Sequence, residues 1–182
     1  MLVKIRPVSG IKDVSSRISD FSQIELSVPP DKSILHRVLL IGSLTRSAFH
    51  IPISSKHSIS HDAIATMLAL ESLGVPMELS DKAIEMNGVG RRGFRKPTHA
   101  INCGNSGTTA RLLMGLLAGQ AFESTLTGDS SLVMRPMKRV ADVLEQMGAH
   151  IATTNSGTLP ASISGSPLHG AVGASGSLVL FL

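Results

Sequence analysis

From Gln23 to Ser164 one pattern of hydrophobic and polar positions occurs twice. Gln23-Ile-Glu-Leu-Ser-Val28 alternates polar and apolar, the period of a half-buried strand. After Pro29-Pro30-Asp31 the spacing lengthens and predicts a helix over 32–44, then a strand over 48–53. A second helix over 61–73 presents Ile64, Met67, Leu68 and Leu70 and stops at Gly74; short strands over 75–79 and 83–87 follow. The order then returns: a strand over 99–103, a helix over 108–119 starting at Thr108 or Thr109, and a strand over 122–127. A helix over 135–147 stops at Gly148, and strands over 149–153 and 161–164 close the series.

A shift of about 74 residues superposes the two runs. Arg37-Val-Leu-Leu falls on Arg111-Leu-Leu-Met, and Leu70-Glu-Ser-Leu-Gly74 on Leu144-Glu-Gln-Met-Gly148. Each unit reads βαβαββ, so the fold class is α/β. The expected divisions are a leader over 1–22, unit one over 23–98, unit two over 99–170 and an off-pattern end over 171–182.

Composition narrows this picture. The chain has 182 residues, 42% of them hydrophobic, but only 3% aromatic and no Trp or Tyr, so its core must be aliphatic. Stacking on single-stranded bases is thereby disfavoured, and no nucleic-acid partner is expected. The net charge of +4 suits small anionic ligands about as well as a weak polyanion. One cysteine, Cys103, cannot form an internal disulfide, and the seven histidines show no ligand spacing, so no metal is expected. Residues 1–20 contain no apolar run long enough for a signal peptide or membrane span, which points to a cytoplasmic protein without membrane contact. All Asp, Glu, Lys and Arg residues lie at or before Glu145. An uncharged end of that length suits a stretch covered by something else, or a chain that stops before its partner segments.

The candidate chemistry sits at two helix starts. Gly104-Asn-Ser-Gly107 before a helix is a recipe for holding an anion: free backbone N–H groups, a favourable dipole, and glycines that let a ligand approach. Thr108 adds a hydroxyl and a cap, and Arg111 a cation in the first turn. The earlier echo is Lys32-Ser33 with Arg37, where Ser33 caps or donates and Arg37 offers a planar fork for phosphate or carboxylate. Arg135-Pro136 opens the last helix, with Pro136 at its first position and Arg135 pointing back toward the strand ends. Asp62 is expected to cap or charge its helix, and the basic run Arg91–Lys96 to be a solvated loop.

Three segments in register resemble a known family: Lys32-Ser-Ile-Leu-His-Arg37, Gly104-Asn-Ser-Gly-Thr-Thr-Ala-Arg111 and Leu126-Thr-Gly-Asp-Ser-Ser-Leu-Val-Met-Arg-Pro-Met137. They are similar to the 5-enolpyruvylshikimate-3-phosphate synthases, from about Ile24 to about Gly170. The resemblance implies an enolpyruvyl-transferase-like fold of repeated βαβαββ units, here about two units of the first domain. It implies transfer of the enolpyruvyl group of phosphoenolpyruvate to the 5-hydroxyl of shikimate 3-phosphate, without a cofactor, in a complete form expected to be monomeric. By the same resemblance Lys32 touches both substrates, and Ser33 and Arg37 bind shikimate 3-phosphate. Asn105, Gly107, Thr108 and Arg135 bind phosphoenolpyruvate, and Arg111 is a supporting charge. Family members are more than twice this length, and the segment 171–182 departs from their pattern. The expected acid and base carboxylates fall outside the chain, which is therefore expected to be a fragment inactive alone. A non-catalytic anion-binding remnant and a relative of the UDP-N-acetylglucosamine enolpyruvyl transferases are the alternatives.

Overall fold

In the computed structural model, residues 31–169 are described, together with the backbone of 171–172 and 178–179. The strand expected over 23–28 lies outside the described residues, as does the leader.

Helix α1 (Lys32–Ser43) leads to β1 (Ala48–Pro52), a 3-10 turn at Lys56–Ser58, α2 (His61–Ser72), β2 (Met77–Leu79) and β3 (Ala83–Asn87). The second run is β4 (Ile101–Asn102), α3 (Gly107–Ala118), β5 (Glu123–Thr127), a 3-10 turn at Leu132–Met134, α4 (Lys138–Gln146), β6 (His150–Ala152) and β7 (Ala161–Ser164). A short pair, β8 (Ala171–Val172) and β9 (Leu178–Val179), follows.

The first sheet has the order β1-β3-β2 and is antiparallel. The second has the order β4-β5-β7-β6, in which β4 and β5 run parallel and the other pairs antiparallel. β5, β7 and β6 thus repeat the arrangement of β1, β3 and β2, and β4 adds the parallel strand that a strand–helix–strand crossover requires. The sequence repeat is a repeat of topology.

The endings of α2 and α4 show why it is legible. Leu73 and Met147 cap α2 and α4, and the next residues, Gly74 and Gly148, have φ of 87° and 99°, a region open to glycine at little cost. There the N–H of Val75 reaches back to the carbonyl of Leu70 and that of Ala149 to Leu144, satisfying carbonyls a helix end would strand.

The helices pack in sequence order, α1 on α2, α2 on α3 and α3 on α4. Leu39, Leu70, Leu73, Leu113, Met114, Leu117, Leu126 and Ile163 belong to one continuous core that crosses from the first run to the second. Each fully buried aliphatic side chain of this size contributes about 1.5–3 kcal/mol. No helix among the described residues is long and apolar enough to cross a membrane.

Candidate anion-binding site

The packing order gathers the starts of α1, α2 and α3 at one end. Asp62, in the first turn of α2, joins them: its carboxylate accepts from Lys32 Nζ at 3.3 Å, and its carbonyl accepts from the Thr109 hydroxyl at 3.2 Å. The cap of α2 is Ser60, whose hydroxyl accepts from Ala63 N, so Asp62 charges the helix start without capping it.

The two helix starts that look alike in sequence differ in what they leave free. At α1 the cap is Asp31, not Ser33: one carboxylate oxygen accepts from Ser33 N at 2.7 Å and Ile34 N at 3.2 Å. The backbone donors of Ile34 and Ser33 hold the Asp31 carboxyl below its ordinary range. They are therefore already occupied by a negative charge, and what remains at this end is cationic side chains. Lys32 is paired with Asp62, and Arg37 donates to the carbonyl of Ser33 at 2.9 Å.

At α3 the helix begins at Gly107, earlier than the Thr108 or Thr109 expected, because Ser106 is the cap. Its hydroxyl accepts from Thr109 N at 3.1 Å, whereas Thr108 is exposed and caps nothing. The N–H groups of Gly107 and Thr108 have no acceptor among the described residues. Arg111, one turn into the helix rather than in its first residues, donates to the carbonyls of Gly107 at 3.2 Å and Pro136 at 3.1 Å. A Cβ on Gly107 would lie 2.7 Å from Arg111 Nη1 and 3.5 Å from Arg135 Nη1. Two guanidinium groups and two free backbone donors thus meet over a position with no side chain, which is what a small dianion needs.

Arg135 reaches this place by a route the sequence pattern does not reveal. Helix α4 begins at Lys138 with Met137 as its cap, so Pro136 is not its first residue. Met137 N and Lys138 N both donate to the carbonyl of Gly157, at 2.8 and 3.1 Å, which satisfies donors that a helix start leaves unpaired and docks this start on the 154–158 turn. Arg135 is extended (φ −83°, ψ 140°), the conformation a following proline favours, and it does not oppose the helix dipole. Its Nη2 donates to Asn105 Oδ1 at 2.7 Å. Asn105 Nδ2 donates in turn to Asp129 Oδ2 at 2.8 Å, and Asp129 Oδ1 accepts from Ser131 N at 3.0 Å and Leu132 N at 2.7 Å. The Asn105 amide, then the backbone donors of Leu132 and Ser131, keep the Asp129 carboxyl below its usual range.

Beneath the surface a line of hydroxyls binds the helix starts together. His36 Nδ1 lies 2.7 Å from Thr66 Oγ1, Thr66 Oγ1 2.7 Å from Thr109 Oγ1, and Thr109 Oγ1 2.8 Å from Ser106 Oγ. All four residues are buried, and His36 Nε2 has no partner among the described residues. Burial lowers the His36 pKa, Asp62 opposes that shift, and Lys32 and Arg37 add to it.

Lys32, Ser33 and Arg37 thus lie at the α1 start, and Asn105, Gly107, Thr108, Arg111 and Arg135 at the α3 start. Sequence reasoning missed Asp31, Ser106 and Asp129. For Asp129 a signal existed: an Asp two residues before Ser131 is the composition of a side-chain-capped turn.

The model of the family described as EPSP synthase (3-phosphoshikimate 1-carboxyvinyltransferase) matches residues 18–176. A relative named 3-phosphoshikimate 1-carboxyvinyltransferase from Limosilactobacillus fermentum is 46% identical over 147 residues, 81% of this chain and 33% of the relative. One of the same name from Methylococcus capsulatus is 46% identical over 144 residues, 79% of this chain and 32% of the relative. A solved structure of EPSP synthase from Acinetobacter baumannii superposes with a TM-score of 0.73 at 40% identity, covering 80% of this chain and 33% of that one. The chain therefore spans about a third of the length of the relatives it matches. With the family match covering most of the chain, the chain belongs to the EPSP synthase family.

Proposed function

We propose that this chain forms one wall of an enolpyruvyl-transferase site, in which phosphoenolpyruvate loses its phosphate as its enolpyruvyl group passes to the 5-hydroxyl of shikimate 3-phosphate. The observation that carries the reading is the side-chain-free position at Gly107, flanked by the guanidinium groups of Arg111 and Arg135 at the start of α3. Phosphoenolpyruvate presents a phosphate and a carboxylate, and two forks beside free N–H groups match both. In this reading Asn105, Gly107, Thr108 and Arg135 hold phosphoenolpyruvate, with Arg111 in support. Lys32, Ser33 and Arg37 hold shikimate 3-phosphate, Lys32 facing both substrates. Holding two anions in fixed orientation lowers the entropic part of the barrier, and the same cations stabilise charge that develops in the transition state.

Among the described residues at these helix starts, each carboxylate is already engaged: Asp31 in capping, Asp62 with Lys32, and Asp129 with Asn105 and a turn. None is placed to exchange a proton with a substrate. This chain alone is therefore proposed to bind both substrates without turning them over, as a cytoplasmic protein with no metal in the site.

Calorimetry of the chain with each substrate tests the binding. Arg135→Ala is expected to weaken phosphoenolpyruvate binding by about tenfold to a hundredfold, the worth of a charge-assisted contact, and shikimate 3-phosphate binding much less. Equal losses overturn the assignment of Arg135. Steady-state turnover by the chain alone at ordinary enzyme rates overturns the claim that it only binds.

A further inference from the structure

The segment Leu126–Met137 contains one ionised side chain besides Arg135, and the roles above leave it unused. That residue, Asp129, stands at the end of a directed series of hydrogen bonds whose other end is the Arg135 guanidinium. We propose that Asp129 is a positioning residue: by accepting from Asn105 Nδ2 it fixes which way the Asn105 amide faces, and thereby turns Asn105 Oδ1 toward Arg135 and holds the guanidinium over Gly107.

Donor and acceptor inventories give the reason. An amide has a donor end and an acceptor end, and an arginine can only donate. To hold Arg135, Asn105 must offer its oxygen, and its nitrogen must then find an acceptor on the opposite side. An ionised carboxylate is acceptor-only, so Asp129 admits one amide orientation and rejects the other. The Asp129 side chain cannot swing freely to accommodate the wrong orientation, because its second oxygen is tied to Ser131 N and Leu132 N. Its backbone is tied as well, since Asp129 N donates to the carbonyl of Gly104 at 2.9 Å, on the loop that carries Asn105. Both ends of the relay are thus anchored to the same loop and turn, and Arg135 is the one member left on a long flexible stem. Ser131 Oγ, 3.4 Å from Arg135 Nη2, is a weaker second hold. Asn105 then serves the site through its contact with Arg135 as well as through the ligand, since one of its two Nδ2 hydrogens is left over. The inference rests on the phosphoenolpyruvate reading for its consequence, but not for its geometry.

Two variants separate positioning from simple turn capping. In Asp129→Asn the side-chain oxygen can still cap Ser131 and Leu132, but its new amide donor faces that of Asn105. The Asn105 amide must turn round and present N–H groups to a guanidinium, which releases Arg135. In Asn105→Ala the cap is untouched and the relay is cut. The swapped pair Asp129→Asn with Asn105→Asp restores the donor order. The amide then sits at position 129 and donates to a carboxylate at position 105, which in turn accepts from Arg135.

The first readout needs no ligand. Rotation about the Arg135 guanidinium bonds, measured by nitrogen-15 NMR of the 182-residue chain, is expected to be slow in the wild type, fast in both single variants and slow again in the swapped pair. The second readout is calorimetry with phosphoenolpyruvate. Asp129→Asn is expected to bind on the order of tenfold more weakly, Asn105→Ala at least as weakly, and the double variant no more weakly than Asn105→Ala alone. Unchanged Arg135 rotation in a folded Asp129→Asn protein overturns the proposal, as do losses that add in the double variant. A wild-type chain that binds no phosphoenolpyruvate removes the functional reading but leaves the rotation measurement decisive for Asp129.

Discussion

Replacing Thr109 by valine tests whether the buried hydroxyl line holds the helix starts together. Valine keeps the shape and the branch point of threonine and removes only the oxygen, at a site with no exposed surface. That oxygen contacts Thr66 Oγ1 at 2.7 Å, Ser106 Oγ at 2.8 Å and the carbonyl of Asp62 at 3.2 Å. Thr66 keeps His36 as a partner and Ser106 keeps Thr109 N, so no group is wholly orphaned and the loss falls below the sum of three bonds. At about 1 kcal/mol net per neutral bond, the expected destabilisation is about 2 kcal/mol. For a chain of 182 residues that lowers the unfolding midpoint by about 4–8 °C, readable by calorimetry or by urea unfolding followed by circular dichroism. Thr109→Ser is the control: it keeps the oxygen and loses a buried methyl, at about 1 kcal/mol. A valine variant as stable as the wild type, or less damaged than the serine variant, would show that packing rather than hydrogen bonding holds these helices. In a cycle with Thr66→Val, strict additivity would mean that the hydroxyls do not act as one line.

Three further outcomes are expected. Because burial depresses the His36 pKa below its ordinary 6.5, the unfolded chain takes up this proton at higher pH than the folded one; the associated stability is full above pH 6.5 and is lost as pH falls toward the folded value. Unfolding free energy measured at about pH 7.5 and about pH 5.5 should fall less in His36→Gln than in the wild type, by at most about 1.4 kcal/mol for each pH unit crossed, and equal slopes would refute it. Cys103 is fully buried with its thiol pushed up to about 12, so a thiol reagent at about pH 8 should label it only after denaturant is added; rapid labelling of the native chain would contradict its placement. Gly107→Ala puts a methyl 2.7 Å from Arg111 Nη1, the movable end of a long side chain, so stability should change by less than about 1 kcal/mol while phosphoenolpyruvate binding weakens, and unimpaired binding would mean that the ligand does not enter there.

Local signals carry most of the fold. Gly74 and Gly148 end their helices because only a residue tolerant of positive φ can turn the chain there, and that requirement is visible without a structure. The helix beginnings are less legible. Asp31 and Ser33 are both good caps, as are Ser106 and Thr108, and the choice depends on which side chain the incoming loop turns toward the first N–H groups. The start of α4 escapes the sequence for a non-local reason: its first N–H groups, those of Met137 and Lys138, are satisfied by the carbonyl of Gly157, some twenty residues away, and not by a nearby capping side chain. The likeness of Lys32–Arg37 to Gly104–Arg111 is real in one respect, since Arg37 and Arg111 each donate to the carbonyl four residues earlier. It misleads in another, because a carboxylate at position 31 fills the donors that stay free at α3. The buried line through His36, Thr66, Thr109 and Ser106 has no sequence signature, because its members come from three helices and meet only on packing.

The order in which the helices pack makes the pair of units directional. Where the units meet, the second helix of one, α2, contacts the first helix of the next, α3, so unlike faces are joined, as in a head-to-tail assembly. Such an array has two dissimilar ends. At one, α4 turns Lys138, Arg139 and Glu145 to solvent, with Asp142 paired to Lys138 at 2.6 Å, a polar outer face. At the other, among the described residues, α1 bears Ile34 and Ile41, 56% and 62% exposed, along a groove with Val38 and Phe49. Among the described residues, α1 therefore carries a stripe of branched aliphatic residues, remote in sequence from Asn105 and Arg135, whose exposure favours contact with another apolar surface.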